Sequence, residues 1–302
     1  MRPTDLGAFS RRTALAEGMS DAQLRSPLLA HPFHGVRTRV APVTHEERAR
    51  AYLPRLRRGQ YFSHLTAAGI WGVPLPSRSV LDDPLHVSVP APHRPPRTRG
   101  VVGHVLRPDW TRVLVRRGLP VTDPATTWIL LAGVLPPRDL LAAADHLLFT
   151  PRFASRSDPR PYATIAEVEQ RLEEYSGRGK ALLRRTLRLA SAASASRRET
   201  WLRSLAVEAG LPPAEANVEI LHEGRLIAIG DLCFERYKVL ADYDGSHHQS
   251  DDVQYARDRE RSLDLQLAGW IQVVVRAEGL GRGRARTIAE LKAALRAHGW
   301  QG

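Results

Sequence analysis

The stretch "YKVLADYDGSHHQ" (residues 237–249) joins a short apolar run to two carboxylates, a glycine and two histidines. The run at 237–241 predicts a buried strand, with Asp242 and Asp244 at its end. Carboxylates beside a buried strand are costly unless a cation compensates their charge. The stretch therefore indicates a strand end that attracts a cation, and the surrounding elements should show what that cation is.

The last hundred or so residues predict the element order α-β-β-β-α-β-α. Glycines at 210 and 269 stop two of the helices. The run "IQVVVR" at 271–276 is apolar throughout and is expected to form a buried strand. The predicted helices cover 196–209, 252–268 and 287–299, and the predicted strands cover 217–222, 225–234, 237–244 and 271–276.

A hairpin between the second and third of these strands would bring two acids together. If the strands pair through a turn at Glu235-Arg236, Asp231 and Asp242 meet at the open end of the hairpin. Cross-strand neighbours approach to about 4.5–5.5 Å between their Cβ atoms, which is close enough to hold one hard cation. Mg²⁺ takes oxygen ligands and keeps several waters, so one or two carboxylates suffice. Such a cation would cancel the repulsion between the acids and activate a water.

Several motifs around these acids follow one another in a familiar order. They are Glu199 in the preceding helix, "GD" at 230–231, "DYDGSHH" at 242–248, "RDRER" at 257–261 and "GW" at 269–270. In this order they resemble the very-short-patch-repair-like branch of the PD-(D/E)XK nuclease superfamily. The resemblance implies a restriction-endonuclease-like αβββαβα core with a mixed sheet. It also implies a DNA endonuclease that hydrolyses phosphodiester bonds with Mg²⁺ or Mn²⁺.

The resemblance also implies roles for individual side chains. Asp231 and Asp242 would bind the metal, and Asp244 would fix the strand end or assist the metal. His248 would transfer a proton or contact the scissile phosphate, and the neighbouring His247 carries less weight. The implied catalytic set is Glu199, Asp231, Asp242, Asp244, His248 and Arg261.

This chain departs from the family pattern at three positions. Asp242 stands where glutamate is commoner, so its shorter side chain would shift the metal. Asp244 takes the place of the lysine in the superfamily's name, which moves the proton chemistry to another group. Gly230 precedes Asp231 where a basic residue is frequent.

Simpler structural roles remain open for some of these residues. Glu199 would support the ligands from behind, but Ser196-x-x-Glu199 is also a capping box. Arg261 and Asp258 would support the site from the helix, but they could equally form an i,i+3 pair on its surface. The "DG" at 244–245 could be a tight turn after the strand.

The composition favours a polyanionic partner. The 302 residues carry a net charge of +12, and nucleic acid is the usual partner of so basic a chain, although arginine-rich codon usage would produce the same balance.

The length predicts two or three domains. One cysteine, Cys233, excludes an internal disulfide, which favours a cytoplasmic location. The N-terminus lacks the apolar core of a signal peptide, and no apolar run approaches the roughly 18 residues of a membrane span.

Residues 1–43 are expected to form a winged helix-turn-helix-like region. A helix is predicted over 10–17, a capping box at Ser20–Gln23 opens a second helix, and "HPFHGVRTRV" (31–40) is expected to be a wing strand with Arg37 and Arg39 exposed. A small helical adaptor without DNA contact is the alternative. The region weakly resembles the winged-helix domain of abortive-infection-type antitoxins, which implies binding to DNA or to a partner protein.

Residues 44–149 are expected to form an antitoxin-like α/β region, and 150–189 a linker followed by helices. The segment 44–70 is predicted to be helical, with a capping box at Thr44 and Glu47 and a break at Pro54. His64 within it is more plausibly a packed or surface residue than a ligand. Strands are predicted in "LHVSVPAP" (85–92), "VVGHVL" (101–106) and 110–121, with a basic loop, "HRPPRTRG" (93–100), between the first two. With an endonuclease-like domain over 190–302, the chain is expected to be a multi-domain α/β (α+β) protein.

Two functions follow from these features. The first is a metal-dependent DNA endonuclease with an N-terminal DNA-binding region. The second is a non-catalytic, antitoxin-like DNA-binding regulator that keeps the nuclease fold as a scaffold. The residues expected to contact nucleic acid are Arg37, Arg39, Arg94, Arg97, Arg99 and Arg257.

Overall fold

The structure is a computed structural model that describes residues 7–76, 83–245 and 252–302, with the backbone alone at 252–256 and 258. The chain forms two compact units. One comprises the chain up to Ala143 together with Tyr162–Arg188, and the other comprises Ala144–Pro161 and Leu189–Gly302. Among the described helices, none combines the length and the apolar character that crossing a membrane requires.

The first unit is mixed α/β. The boundary between the units falls within the helix Pro137–Leu148. Its strands are β1 Ala8–Ser10, β2 Val36–Thr38, β3 Tyr61–Phe62, β4 Leu85–Pro90, β5 Val101–Leu106, β6 Val113–Arg116 and β7 Leu119–Thr122. Its helices are α1 Arg11–Ala16, α2 Asp21–Leu24, α3 His45–Tyr52, α4 His64–Ile70, α5 Pro124–Leu131, α6 Pro137–Leu148, α7 Ile165–Glu174 and α8 Lys180–Leu187.

Local capping signals in the sequence set several of these helix starts. Ser20 with Gln23 and Thr44 with Glu47 form reciprocal capping boxes at α2 and α3, as their spacing predicts. The N-terminal helices are short, with six residues in α1 and four in α2. The region 8–38 therefore consists of two brief helices and one antiparallel strand pair, β1 with β2.

Arg37 does not have the exposed position that the sequence suggested. Its guanidinium is half-buried and donates from Nε to the carbonyl of Leu24 at 2.8 Å and from a terminal nitrogen to the carbonyl of Val36 at 3.0 Å. The prediction of exposure is wrong for Arg37 because its donors satisfy carbonyl groups at the end of α2 and in β2. It is confirmed for Arg39, which is exposed.

The main sheet of the first unit has the order β5-β4-β3-β7-β6. β4 runs parallel to β5 and antiparallel to β3, and β6 forms a hairpin with β7. The two-residue strand β3 lies at the centre of this sheet, within the segment 44–70 that the sequence predicted to be helical with a break at Pro54. The break is confirmed, because α3 ends in a short 3₁₀ turn that contains Pro54. The helical prediction is wrong for β3, which pairs with β4 and β7.

The second unit has the order that the sequence predicts, α-β-β-β-α-β-α. Its elements are α9 Arg197–Glu208, β8 Glu215–His222, β9 Arg225–Phe234, β10 Val239–Asp244, α10 Asp252–Leu267, β11 Ile271–Arg276 and α11 Arg284–Ala297. The sheet order is β11-β10-β9-β8, with β8, β9 and β10 antiparallel and β10 parallel to β11. The expected mixed sheet is therefore present.

Helices cover both faces of this sheet. On one face, Leu202 of α9 and Leu295 of α11 pack with Ala241 of the central strand β10. On the other, Leu265 of α10 packs with Cys233 and Leu240 of the sheet. Because side chains alternate along a strand, Asp231 and Asp242 lie on the α10 face with Cys233 and Leu240.

The last strand, β11, is not buried on both faces, although its apolar run suggested burial. Val273 and Val275 are buried, whereas Val274 between them is 51% exposed. β11 lies at the edge of the sheet, so one of its faces is only partly covered. A continuous apolar run therefore did not distinguish an edge strand from a central one.

Candidate functional site

The candidate site lies where β9 and β10 stop pairing. Their regular register ends at Leu232 opposite Ala241. Beyond this pair, the backbone N–H of Asp231 donates to Oδ1 of Asp242 at 3.1 Å, and the backbone N–H of Tyr243 donates to Oδ2 of Asp231 at 2.6 Å. The two carboxylates thus replace the ladder hydrogen bonds, and their expected convergence at the open end of the hairpin is confirmed.

Asp242 is buried and bound by two further donors. It is 7% exposed, and its Oδ2 accepts hydrogen bonds from Arg261 at 2.8 Å and from Nε2 of Gln272 at 2.7 Å. Arg261 also donates to the carbonyl of Ile229 at 2.9 Å, so the arginine joins α10 to the sheet. The guanidinium therefore compensates the charge of Asp242 and faces the site.

The negative charge of Asp231 is compensated less completely than that of Asp242. Burial, helped by the charges of Asp242 and Glu199, raises the pKa of its carboxyl group to about 6, against the opposing effects of the Tyr243 N–H and Arg261. Within the described part of the chain, Oδ1 of Asp231 accepts no hydrogen bond. This oxygen is therefore a candidate ligand for a cation.

Glu199 lies at the start of α9 and acts mainly as a cap. Its backbone N–H donates to Oγ of Ser196 at 3.2 Å, and its Oε2 accepts from the backbone N–H of Ala195 at 2.8 Å and from Nδ2 of Asn217 at 2.9 Å. These bonds explain its position without a metal. Its charge nevertheless reaches Asp231, whose pKa it helps to raise.

Of the other predicted catalytic residues, Asp244 lies within the described part of the chain and His248 does not. Asp244 ends β10 and accepts from Nε of Arg276 on β11 at 3.2 Å, so it ties the ends of two strands together. His247 and His248 lie outside the described residues, as does the side chain of Asp258. Arg261, the suggested partner of Asp258, donates to Asp242 and to the carbonyl of Ile229.

Asp231 and Asp242 are a pair of acids that does not extend to a larger cluster among the described residues. Within residues 7–76, 83–245 and 252–302, the one group of three or more metal-binding side chains with ligand atoms within 4.8 Å of one another is made of histidines. The residues that could hold a hard cation at the strand ends are Asp231, through Oδ1, and Asp242, through the oxygen not bound by Arg261. Two carboxylates with water ligands fit Mg²⁺.

The histidine cluster, which we define as His64, His86 and His104, was not anticipated as a site. Nδ1 of His86 lies 2.9 Å from Nε2 of His104, and the ring of His64 stacks on that of His104 with centroids 3.9 Å apart. Burial lowers the pKa of His64 to about 3 and that of His86 to about 4, and it also lowers the pKa of His104. The available signal was one histidine in each of two predicted strands, but the sequence did not show that these strands pair in parallel.

The predicted nucleic-acid contacts are mostly exposed. Arg94, Arg97 and Arg99 all lie exposed in the loop between β4 and β5, and Arg39 and Arg257 are exposed as well. No carboxylate in the described segments forms an ion pair with the three loop arginines. The loop therefore presents three uncompensated guanidinium groups within six residues.

Comparison with known proteins returned no match. The comparison found no matching family model, curated protein or solved structure. The functional conclusion therefore depends on the geometry of the site.

Proposed function

We propose that this protein is a metal-dependent DNA endonuclease, with phosphodiester hydrolysis in the second unit and DNA binding by basic residues of the first. The observation that carries the proposal is the convergence of Asp231 and Asp242 where β9 and β10 separate. Two acids on one sheet face, beside an α-β-β-β-α-β-α framework, support the likeness to the PD-(D/E)XK superfamily and a restriction-endonuclease-like core.

The chain's own residues would prepare the site for a dication. Asp231 would be the principal ligand, because no described residue donates to its Oδ1 and its charge is compensated less than that of Asp242. Asp242 would contribute a second oxygen, while Arg261 and Gln272 hold its carboxylate in place. Bound there, Mg²⁺ or Mn²⁺ would neutralise the charge of a phosphate and lower the pKa of a coordinated water.

Other residues would act around this pair. Asp244 would keep the end of β10 fixed through Arg276, and Glu199 would add negative charge from α9. His248 would exchange a proton with the reacting groups or contact the scissile phosphate. DNA would be held by the loop arginines and not by α2, because a four-residue helix offers a single turn to a DNA groove.

A plasmid-cleavage assay tests the proposal directly. The wild-type chain should convert supercoiled DNA to nicked or linear forms in Mg²⁺ or Mn²⁺. Asp231→Asn should reduce the rate by at least about 100-fold, because it removes the open carboxylate oxygen that the dication requires. DNA binding by this variant, measured by fluorescence anisotropy, should remain within about twofold of wild type.

A matched variant separates a site effect from a general loss of negative charge. Glu215→Gln removes an exposed acid from β8 and should leave the cleavage rate unchanged. Mg²⁺ or Mn²⁺ should also raise the melting temperature of wild type but not that of Asp231→Asn, since a ligand that binds only the folded state stabilises it. A wild-type chain that neither cleaves DNA nor gains stability from either ion would refute the proposal.

The second candidate function is a non-catalytic, antitoxin-like DNA-binding regulator. The observation that favours it is the engagement of Asp242 by Arg261 and Gln272, which leaves only part of that carboxylate for a metal. A regulator should protect its own promoter in a footprinting assay and show the same melting temperature with and without Mg²⁺. Metal-dependent cleavage abolished by Asp231→Asn excludes it as the sole function.

A further inference from the structure

We propose that the histidine cluster is a binding site for a borderline transition-metal dication, Zn²⁺ above all, with a coordination position left open. The three rings come from separate elements of the first unit. His64 begins α4, His86 lies in β4 and His104 in β5. The site is distinct from the acidic pair of the second unit and takes a different class of metal.

The spacing of the ring nitrogens suits a shared ion. One ligand atom from each histidine lies within 4.8 Å of the other two, and the closest pair, Nδ1 of His86 and Nε2 of His104, is 2.9 Å apart. Tetrahedral Zn²⁺ with bonds of about 2.0–2.1 Å places its nitrogen ligands about 3.3 Å apart. The rings lie at 7–26° to one another, so they must rotate toward a common point about the soft χ2 torsion.

Hydrogen bonds and backbone conformation hold His64 toward its neighbours. Oγ of Ser63 lies 2.9 Å from Nδ1 of His64 and 2.6 Å from Oγ of Ser88, an arrangement that orients the ring. No described residue forms a hydrogen bond with Nε2 of His64. His64 also has a φ of 49°, in the left-handed region that non-glycine residues rarely adopt. Such a conformation persists only where the surroundings enforce it, and it is common at ligand-binding sites.

The donor set selects the metal. Three imidazoles with no carboxylate among them suit Zn²⁺, Co²⁺, Ni²⁺ or Cu²⁺ and do not suit Mg²⁺ or Ca²⁺, which prefer oxygen. Each imidazole binds a metal in its neutral form, through the lone pair of one ring nitrogen. Three protein ligands leave the fourth tetrahedral position for water or another small ligand. A bound ion would also join the edge strand β5 to β4 and α4.

Titration of the chelator-treated full chain with Zn²⁺ and Co²⁺ tests the proposal. Calorimetry should show one equivalent of Zn²⁺ bound at the cluster, and Co²⁺ should give the visible absorption of nitrogen-ligated, four-coordinate cobalt. His64→Gln and His104→Gln should each weaken Zn²⁺ binding at least about tenfold and remove the cobalt bands. His34→Gln, an exposed histidine of the same unit, should change neither.

Two further measurements keep the outcome unambiguous. Asp231→Asn combined with Asp242→Asn should leave Zn²⁺ binding intact, which separates this site from the proposed nuclease site. In wild type, Zn²⁺ should slow amide hydrogen exchange in β4 and β5, whatever the stability of the variants. Absence of one-equivalent binding by wild type, absence of this protection, or survival of binding in the double variant His64→Gln/His104→Gln would overturn the proposal.

Discussion

Asp231 and Asp242 lie on the same face of the sheet, yet their charges are compensated to different degrees. Among the described residues, Asp242 receives a guanidinium and an amide, whereas the side chain of Asp231 receives a single backbone N–H. The folded protein therefore carries one carboxylate whose ionisation is opposed by burial and by its neighbours. A buried carboxylate without full charge compensation lowers the stability of the folded protein, and such a cost is common at functional sites.

The raised pKa of Asp231 predicts a pH-dependent effect of Asp231→Asn. Folding raises the pKa of Asp231 from 3.8 to about 6, so the folded state binds this proton more tightly than the unfolded state does. The stability that the proton contributes is complete below pH 3.8 and is lost as the pH rises through 6. In EDTA, Asp231→Asn should therefore stabilise the second unit at pH 8 by about 1–2 kcal/mol, after allowance for partial exposure. The gain should shrink as the pH falls toward 5.

Urea-dependent hydrogen exchange in peptides from β9 and β10 measures this effect without assuming that the whole chain unfolds in one step. Glu215→Gln, at an exposed acid, provides the control and should show no comparable dependence on pH. A loss of stability at pH 8, or a difference that does not vary between pH 8 and 5, would contradict the assignment of Asp231 as the uncompensated acid.

At the scale of elements, one buried carboxylate anchors the end of α6 within the second unit. Asp145 is 1% exposed and accepts from Arg203 at 2.5 Å, from Oγ1 of Thr200 at 2.8 Å and from the backbone N–H of Ser191 at 2.8 Å. Burial raises the pKa of Asp145 despite the opposing charge of Arg203. The residue therefore joins α6 to α9 and to the segment that precedes α9.

Asp145→Ala should consequently destabilise the second unit by about 3–5 kcal/mol, because it leaves the largely buried Arg203 without its counter-charge. Asp145→Asn should cost less, since an acceptor remains. Glu290→Ala, which breaks an exposed i,i+4 pair with Arg286, is the control and should leave the free energy of unfolding almost unchanged. If Asp145→Ala and Glu290→Ala lower the free energy of unfolding in urea equally, the buried ion pair contributes no more stability than the exposed pair.

Elements that depend on local sequence signals could be predicted, and those that depend on distant partners could not. The capping boxes at Ser20 and Thr44 involve residues three positions apart, so the sequence contains the whole interaction. The hairpin that brings Asp231 and Asp242 together is also local. The central strand β3 has only two residues and exists because β4 and β7 flank it, which no short window shows.

The same distinction explains what was missed at the sites. The acidic pair could be predicted because one tight turn separates its strands. The partners of Asp242 on α10 and β11 come from 19 and 30 residues further along the chain, and only the folded sheet brings them to the carboxylate. The histidine cluster likewise depends on the parallel pairing of β4 with β5, which sequence periodicity leaves open.

At the scale of the whole molecule, the net charge of +12 favours a polyanion but does not locate its binding surface. The loop between β4 and β5 is the strongest candidate, because Arg94, Arg97 and Arg99 are exposed there without ion-pair partners among the described residues. Each arginine that contacts a phosphate releases counterions, so its removal should lower the salt dependence of binding by a definite amount.

Substitution of the three loop arginines by glutamine should therefore weaken binding to duplex DNA. It should also reduce the slope of the logarithm of the association constant against the logarithm of the salt concentration by up to about 3, because each lost phosphate contact removes about 0.9 from the slope. Anisotropy titrations between low and moderate salt measure both quantities. The control removes three exposed arginines elsewhere, as Arg185→Gln/Arg188→Gln/Arg282→Gln, and so matches the change in net charge. If both triple variants lose the same slope, DNA responds to overall charge and the loop is not the binding surface. A loss confined to the loop variant would assign the phosphate contacts to these three residues.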